Sequence, residues 1–116
     1  MSYNSNIENF IQKLQIGEGK GYAVYFLGIG GIGMSAIARY FNSRGVKVSG
    51  YDKTETVLTK QLQSEGIDIH YEDDCSLIDS NALFVVYTPA IPSDHKEYHY
   101  FKQKSYDLLK RSEVLG

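Results

Sequence analysis

The sequence predicts an α/β fold: a Rossmann-like, doubly wound parallel sheet of about five strands with helices on both faces, in a single domain. Short apolar stretches of strand length alternate along the chain with stretches whose apolar residues recur at helical spacing. The apolar stretch at residues 22–27 runs directly into a glycine-rich turn. Strands that alternate with helices pair in parallel through right-handed crossovers, and these crossovers place helices on both faces of the sheet.

The composition limits the classes of protein to which the chain can belong. Its 116 residues suit one domain. The formal net charge of -2 provides no basic surface for nucleic acid, and no window approaches the ~20 apolar residues of a membrane span, so we expect neither partner. Residues 1–20 lack the apolar segment of a secretory signal, and a single cysteine excludes an internal disulfide. A cytoplasmic location is therefore expected.

Residues 1–21 are predicted to form a helix and a linker ahead of the domain, which would span residues 22–116. The helix is predicted over residues 6–15 and is expected to dock on the domain or on a partner. Its apolar residues recur at helical spacing and are Ile7, Phe10, Ile11 and Leu14. The GEGKG segment at residues 17–21 lacks the G-x-x-x-x-G-K-[ST] spacing of a phosphate loop and follows no apolar strand. It is predicted to be a flexible linker.

The glycine turn after the first strand matches the G-x-G-x-x-G pattern at Gly28, Gly30 and Gly33. In that pattern the first glycine permits a tight turn and the second lets a pyrophosphate approach the backbone. The third lets the helix and the strand pack closely. Gly31 is an additional glycine. The turn alone is a weak signal, but here a strand precedes it and a helix follows it.

The next helix and strand complete a unit that favours binding of a nucleotide phosphate over a purely structural turn. The helix is predicted to begin at about Gly31 and to end at Gly45, with an apolar stripe between them. Its free N–H groups and positive dipole end would face the glycine turn, where an anion would lie. A second strand is predicted over residues 46–50. Asp52 follows Gly33 by about 20 residues, a position from which a carboxylate accepts hydrogen bonds from a ribose.

The rest of the chain continues the alternation. A helix capped by Thr54 and closed by Gly66 is predicted, with Val57, Leu58 and Leu62 facing the sheet. Further strands are predicted at residues 67–71, 82–87 and 106–109, with a short turn at 75–79, a helix at 96–104 and the opening of another element at 111–116.

The TPAIPS loop at residues 88–93 is expected to face the glycine turn. It contains both prolines of the chain, so it is stiff and cannot be helical throughout. If the strand order reverses between the first and fourth strands, this loop and the glycine turn flank one crevice. A crevice at such a reversal is the expected ligand site of an open α/β sheet.

Other residues with possible chemistry are interpreted as structural. His95 and His99 are one helical turn apart, but no third ligand accompanies them, so a solvated face is favoured over a metal site. Glu72, Asp73, Asp74 and Asp79 do not follow a calcium-loop spacing and are expected to form a solvated turn. No metal ligand and no catalytic residue is expected. Lys53, beside Asp52, is the cation that we expect to reach a ligand.

The segment YFLGIGGIGMSAIARYFNSRGVKVSGYD, with YTPAIP and RSEVL further along, closely resembles the amino-terminal domain of the Mur ligase family over about residues 22–115. The resemblance implies a protein of three domains, which bind a UDP sugar, ATP with magnesium, and an amino acid. It implies that the muramate carboxylate is activated as an acyl phosphate, which the amine of L-alanine attacks, in peptidoglycan synthesis. This chain would bind UDP-N-acetylmuramate, with the remaining ligase domains in cis.

The resemblance also implies roles for particular residues. Backbone N–H groups would hold the UDP diphosphate at Gly28, Gly30, Gly31, Ile32 and Gly33. The uridine side of the site would comprise Asp52, Lys53, Thr88, Pro89 and Ala90. Within that set Asp52 would face the ribose, and the Thr88 hydroxyl would be a polar contact.

Two departures from the family pattern shape these expectations. Many relatives have a glycine and a histidine after the third strand, where this chain has Glu72 and Asp73, so uracil contacts from that loop are not implied. The G-K-T-type ATP loop is missing from residues 1–116. The chain alone is therefore expected to bind no cofactor and to be inactive, whereas the full-length enzyme would use ATP and Mg²⁺.

Two alternatives to an alanine-adding ligase remain open at this point. One is the related ligase that recycles murein peptide onto UDP-muramate, whose first domain is similar. The other is a stand-alone NAD-binding module, because Asp52 suits the 2′-hydroxyl of NAD as well as the ribose of uridine. The additional glycine and the TPAIP loop favour UDP.

Overall fold

The computed structural model describes residues 5–115. The helices are α1 (Ser5–Gln15), α2 (Ile32–Ser43), α3 (Val57–Ser64), α4 (Lys96–Gln103) and α5 (Arg111–Leu115). The strands are β1 (Ala23–Leu27), β2 (Lys47–Tyr51), β3 (Asp68–His70), β4 (Phe84–Tyr87) and β5 (Leu108–Lys110). A turn of 3₁₀ helix, Cys75–Leu77, lies between β3 and β4. The predicted order of elements is confirmed, with small shifts at their ends.

The strands form one sheet in the order β3-β2-β1-β4-β5, and every pairing is parallel. In the centre, Leu27 of β1 lies opposite Tyr51 of β2 and Tyr87 of β4. The chain adds β2 and β3 on one side of β1 and then returns to add β4 and β5 on the other. The predicted reversal between the first and fourth strands is therefore confirmed.

One face of the sheet is covered by α1, α2 and α3. Their buried side chains pack on alternate strand residues, including Val24 and Phe26 of β1. Phe10 of α1 is 1% exposed. Its ring centroid lies 5.2 Å from that of Tyr22, 5.4 Å from that of Phe41 and 5.5 Å from that of Phe84. The predicted amphipathic helix thus docks on the domain itself.

The opposite face is covered by α4 and by the residues around the 3₁₀ turn. Tyr25, Leu27 and Val85 point to this side and pack with Phe101 of α4. The ring centroids of Tyr25 and Phe101 are 5.2 Å apart. Helical structure on both faces of a parallel sheet is the doubly wound arrangement that the sequence predicted.

The predicted cap of α3 was wrong: Thr56 caps the helix, not Thr54. Thr56 Oγ1 accepts a hydrogen bond from Thr59 N (3.1 Å), and Thr59 Oγ1 accepts one from Thr56 N (2.8 Å), which forms a reciprocal capping box. The backbone N–H of Thr54 instead donates to Asp52 Oδ1 (3.0 Å). Because the helix begins two residues later than the predicted cap implies, Val57 lies in its first turn and is 76% exposed instead of facing the sheet.

The GEGKG segment packs as a turn against the connection between α2 and β2, which differs from the flexible linker that the sequence predicted. Gly19 N donates to Arg44 O (2.9 Å), and Tyr22 N donates to Gly19 O (3.1 Å). A Cβ atom on Gly19 would lie 2.6 Å from Val46 Cγ2, so a glycine is needed at this close approach. None of the helices within residues 5–115 is long and apolar enough to cross a membrane.

Candidate functional site

A cleft of about 760 Å³ opens at the edge of the sheet where the strands end, at the reversal between β1 and β4. The glycine turn after β1 lines one side, and the loop after β4 lines another. This is the predicted position of the crevice. The lining includes seven of the ten predicted site residues: Gly28, Gly30, Gly31, Asp52, Lys53, Thr88 and Ala90. The other three, Ile32, Gly33 and Pro89, lie outside that lining.

Gly28 makes the sharp turn at the end of β1. Its φ of +90° lies in the left-handed region, which glycine adopts without strain. The N–H groups of Gly28 and Ile29 both donate to Tyr51 O, at 2.8 and 3.0 Å. A Cβ atom on Gly28 would overlap Thr88 Cγ2. The glycine therefore lets the two walls of the cleft meet at its base.

Asp52 is held in a fixed orientation at the end of β2. Its Oδ2 accepts a hydrogen bond from Gly30 N (2.7 Å), and its Oδ1 accepts one from Thr54 N (3.0 Å). A Cβ atom on Gly30 would lie 2.7 Å from Asp52 Oδ2 and 2.8 Å from Thr59 Cγ2. Gly30 is thus required for the approach of this carboxylate, and each carboxylate oxygen keeps a lone pair for a further donor.

The amino end of α2 carries no side-chain cap. Gly31 occupies the N-cap position with extended backbone angles, and no side chain accepts a hydrogen bond there. The first N–H groups of an α-helix, here those of Ile32 and Gly33, have no acceptor within the helix. The Ile32 side chain is 88% exposed, so it does not pack over these N–H groups. This end of the helix can bind an anion.

Gly33 lies against Arg111, a residue that the sequence did not place near the site. A Cβ atom on Gly33 would lie 2.7 Å from Arg111 Cδ, 2.8 Å from Nε and 3.0 Å from Cζ. The sequence pattern assigned the third glycine to close packing of helix and strand. In this structure the side chain that it makes room for is Arg111, at the start of α5.

The loop after β4 forms the opposing wall. Thr88 N donates to Leu27 O (3.2 Å), which carries the pairing with β1 one residue beyond the end of β4. Thr88 Oγ1 accepts from Ala90 N (3.4 Å), and Thr88 O accepts from Ile91 N (3.1 Å). The Thr88 hydroxyl proton remains available for a ligand. As predicted, the loop is not helical, and Pro89 lies on its exposed side.

The sequence missed a third group of residues, which closes the cleft beyond Asp52. Tyr51, Asp73 and His95 line this part. His95 was expected on a solvated face, but it is 6% exposed, and its ring packs edge-on against that of Tyr51 with centroids 4.7 Å apart. Burial, with the nearby carboxylates adding to it, raises the pKa of Tyr51. That tyrosine therefore stays neutral near pH 7.

The amino end of α4 explains why His95 and Asp73 occupy these positions. Asp73 accepts hydrogen bonds from Lys96 N (2.8 Å) and Glu97 N (3.0 Å). His95 is the N-cap residue, and its Nδ1 accepts from Tyr98 N (3.4 Å) and lies 3.3 Å from Asp73 Oδ1. The prediction of a solvated acidic turn was therefore wrong for Asp73. Local spacing could not reveal a cap whose donors lie more than twenty residues away.

A second cavity, of about 520 Å³, lies beside β2 and β3 and contains none of the predicted residues. Ser49 and Asp79 line it, next to Lys47. Neither the glycine turn nor a helix amino end reaches this cavity, so the cleft at the strand reversal is the better candidate for an anionic ligand. Among the residues that the structure describes, no group of three or more histidine, cysteine, aspartate or glutamate side chains could hold a metal ion.

Comparison with known proteins finds relatives in both sequence and fold. Residues 23–116 match the family model described as "Mur ligase family, catalytic domain". The UDP-N-acetylmuramate–L-alanine ligase of Flavobacterium johnsoniae is 58% identical to this chain over 97 residues, which cover 80% of the chain and 22% of that relative. The chain thus spans less than a quarter of the length of the curated relatives that it matches.

Two solved structures are similar in fold. The UDP-N-acetylmuramate-alanine ligase of Thermotoga maritima has a TM-score of 0.75 and 31% identity, over 80% of this chain and 21% of that one. A UDP-N-acetylmuramate:L-alanyl-gamma-D-glutamyl-meso-diaminopimelate ligase from Neisseria meningitides has a TM-score of 0.73 at 22% identity, over 81% of this chain and 30% of that one, which shows a shared fold alone. Because the family model covers the chain from β1 onward, this chain belongs to the Mur ligase family.

Proposed function

We propose that this chain is the UDP-substrate-binding domain of an alanine-adding ligase of peptidoglycan synthesis, and that it binds UDP-N-acetylmuramate in the cleft. One observation carries the proposal. The uncapped amino end of the 12-residue helix α2 lies beside a cleft at the strand reversal, next to a carboxylate in fixed orientation. The helix end is complementary to the phosphates of a nucleoside diphosphate, and the carboxylate is complementary to its ribose.

The diphosphate would lie at the amino end of α2. The N–H groups of Gly30 and Gly31 are already engaged, by Asp52 Oδ2 and Gly28 O. The donors would therefore be the N–H groups of Ile32 and Gly33, supported by the helix dipole. In this proposal Gly28, Gly30 and Gly31 contribute mainly by keeping the surface free of side chains, so that the phosphates can approach the backbone.

The uridine would extend from the diphosphate along the cleft. Asp52 would accept hydrogen bonds from the ribose hydroxyls, because its two oxygens are held by Gly30 N and Thr54 N with lone pairs to spare. Lys53 is exposed at the same edge and could pair with the phosphates. Thr88, Pro89 and Ala90 would form the opposing wall, with the Thr88 hydroxyl as donor.

The activity of the whole protein is part of the proposal. The relatives are named for the joining of L-alanine to UDP-N-acetylmuramate, and this chain corresponds to 22% of the length of the first of them. Further domains in cis would bind ATP, Mg²⁺ and L-alanine in the cytoplasm. They would form the acyl phosphate that the amine of L-alanine attacks. On this proposal the present chain binds the UDP substrate and does not catalyse the reaction.

Titration calorimetry on the 116-residue chain tests the binding proposal. We expect UDP-N-acetylmuramate to bind at least ~10-fold more tightly than NAD, a difference of about 1.4 kcal/mol. Micromolar binding of NAD with none of the UDP sugar would overturn the proposal in favour of a dinucleotide module. A crystal soaked in UDP-N-acetylmuramate should show the diphosphate against the N–H groups of Ile32 and Gly33.

A separate assay distinguishes the two ligases within the family, since both would take a UDP-muramate substrate. The full-length enzyme is given UDP-N-acetylmuramate and ATP with either L-alanine or the murein tripeptide. Phosphate release with L-alanine supports the alanine-adding enzyme. Release with the tripeptide alone would assign the chain to the recycling ligase.

A further inference from the structure

Arg111 lies at the first turn of α2, although it is far from the glycine turn in sequence. Its Cδ, Nε and Cζ atoms surround the position that a Cβ atom on Gly33 would occupy, at 2.7, 2.8 and 3.0 Å. The guanidinium is therefore beside the same helix end whose N–H groups have no intrahelical acceptor. The sequence singled out Lys53 as the cation expected to reach a ligand, and the structure adds Arg111 as a second candidate.

The Arg111 side chain is exposed, and its charge lies at a helix end that favours anions over cations. Cations stabilise the carboxyl ends of helices and oppose the positive amino end of the helix dipole. Among the described residues, no carboxylate lies within ion-pairing distance of the Arg111 guanidinium. An anion between the guanidinium and the amino end of α2 would interact favourably with both.

The backbone that carries Arg111 is well anchored at the edge where the strands end. Arg111 is the first residue of α5 and directly follows β5, which pairs with β4 in the sheet. Glu113 Oε1 accepts a hydrogen bond from Lys110 N (2.8 Å), and Val114 packs against the core. The side chain thus extends from a fixed base toward the amino end of α2.

We propose that Arg111 binds the diphosphate of the nucleotide at the amino end of α2, and that Gly33 is glycine so that the Arg111 side chain can lie there. This inference rests on the proposed function of the cleft. A guanidinium presents its N–H donors in a planar fork that matches two phosphate oxygens, so it complements the backbone donors of Ile32 and Gly33. Arg111 would then be a ligand-binding residue at the exit from β5, outside the glycine motif.

The test compares ligands that differ only in phosphate number. The dissociation constants of UDP, UMP and uridine are measured by calorimetry for the wild-type chain, Arg111→Ala and Arg111→Lys. We expect Arg111→Ala to weaken UDP binding at least ~10-fold and to change uridine binding less than ~2-fold, because only the phosphates meet the guanidinium. Arg111→Lys should recover part of the loss, since it keeps the charge and loses the planar fork.

Arg44→Ala is the matched control. Arg44 follows the carboxyl end of the same helix, where its guanidinium lies over the Tyr40 ring at 5.3 Å. The substitution removes the same charge from the opposite end of α2, so UDP affinity should change less than ~2-fold. Equal losses for Arg44→Ala and Arg111→Ala would overturn the inference, because they would report only net charge. Failure of the wild-type chain to bind UDP would instead overturn the proposed function itself.

A double-mutant cycle tests the role of Gly33. The Gly33→Ala side chain would displace Arg111, whose atoms at the contact belong to a flexible side chain, so the fold should be retained. We expect Gly33→Ala to weaken UDP binding in the wild-type background and to have little further effect in the Arg111→Ala background. Additive losses would mean that the new methyl group blocks the phosphate directly, and would overturn the link between Gly33 and Arg111. Circular dichroism and thermal melting confirm that each variant is folded.

Discussion

Tyr25 of the central strand donates a 2.6 Å hydrogen bond to Glu97 of α4, and both side chains are completely buried. The other carboxylate oxygen, Oε2, accepts from Asp74 N (3.0 Å) and lies 2.7 Å from His70 Nε2. The Glu97 carboxylate thus joins β1, the end of β3, the start of the 3₁₀ turn and α4. A buried carboxylate tolerates this environment only while its partners remain.

Tyr25→Phe should destabilise the domain by about 1–3 kcal/mol, because it leaves a buried acceptor without its donor. The free energy of unfolding is measured by urea denaturation. Tyr106→Phe is the matched control, since its hydroxyl donates to Ser80 O (2.6 Å) at an exposed position where water can replace it. We expect a cost of no more than about 0.5–1 kcal/mol for the control. Equal costs for the two variants would contradict a special role for the buried pair.

The same tyrosine predicts a loss of stability at alkaline pH. Burial, followed by the charge and hydrogen bond of Glu97, raises the pKa of Tyr25 far above its ordinary value near 10. The folded chain therefore keeps Tyr25 protonated while the unfolded chain ionises it. The contribution of Tyr25 to the free energy of unfolding is fully present below about pH 10. It is lost as the pH rises further, by up to ~1.4 kcal/mol per pH unit.

The measurement for this prediction is the urea midpoint between pH 8 and pH 11, for the wild type and for Tyr25→Phe. Tyr51 and Tyr106 also have raised pKa values, and both chains keep them. The difference between the two curves therefore isolates Tyr25. The difference in urea midpoint between the wild type and Tyr25→Phe should become smaller as the pH rises above 10. A constant gap would show that Tyr25 does not titrate differently in the folded and unfolded chains.

Two neighbouring glycines should respond differently to the same substitution. Gly30→Ala brings a methyl group to 2.7 Å from Asp52 Oδ2 and 2.8 Å from Thr59 Cγ2, so we expect a loss of about 1–3 kcal/mol from overpacking. The variant should also bind UDP more weakly, because Asp52 must move. Gly31→Ala meets its nearest atom, Gly28 O, at 3.6 Å with an ordinary φ of −64°. Its stability should change by less than about 0.5 kcal/mol. If the two variants unfold at the same urea concentration, the assignment of Gly30 to the Asp52 contact is wrong.

The capping box of α3 gives a third pair of variants. Thr56→Ala removes the acceptor for Thr59 N and should cost about 1 kcal/mol, a typical loss for an N-cap. Thr54→Ala leaves the structurally important backbone N–H of Thr54 in place, so its cost should stay below about 0.5 kcal/mol. Thermal unfolding of both variants decides between the two threonines. A larger loss for Thr54→Ala would restore the cap that the sequence predicted.

The architecture was predictable because it depends on patterns among residues that are close in sequence. Residues 22–52 show strand, turn and helix in sequence order, and the acidic residue after the second strand follows from the same unit. Alternation of strands and helices then restricts the topology to a parallel sheet, which places the glycine turn and the TPAIPS loop at one edge. The position of the cleft follows from these steps, and the structure confirms it.

The rest could not be predicted because it depends on contacts between residues that are distant in sequence. Tyr25 and Glu97 are 72 positions apart, and Asp73 caps a helix that begins 23 positions later. Composition favours the solvated interpretation of such acids, because isolated carboxylates are rarely buried. The neighbour of Gly33 was equally hidden, since four strands and two α-helices separate it from Arg111 along the chain. The choice between Thr54 and Thr56 as cap depended on the exact length of one loop.

The packing of Phe10 among Tyr22, Phe41 and Phe84 has a practical consequence for anyone who trims this protein. The family match starts at residue 23, but the hydrophobic interior starts with α1. A version that begins at the family boundary would lack α1 and would expose an apolar groove along α2 and the central strands. Such a surface invites self-association, so poor behaviour of the shortened polypeptide would say nothing about its affinity for nucleotides.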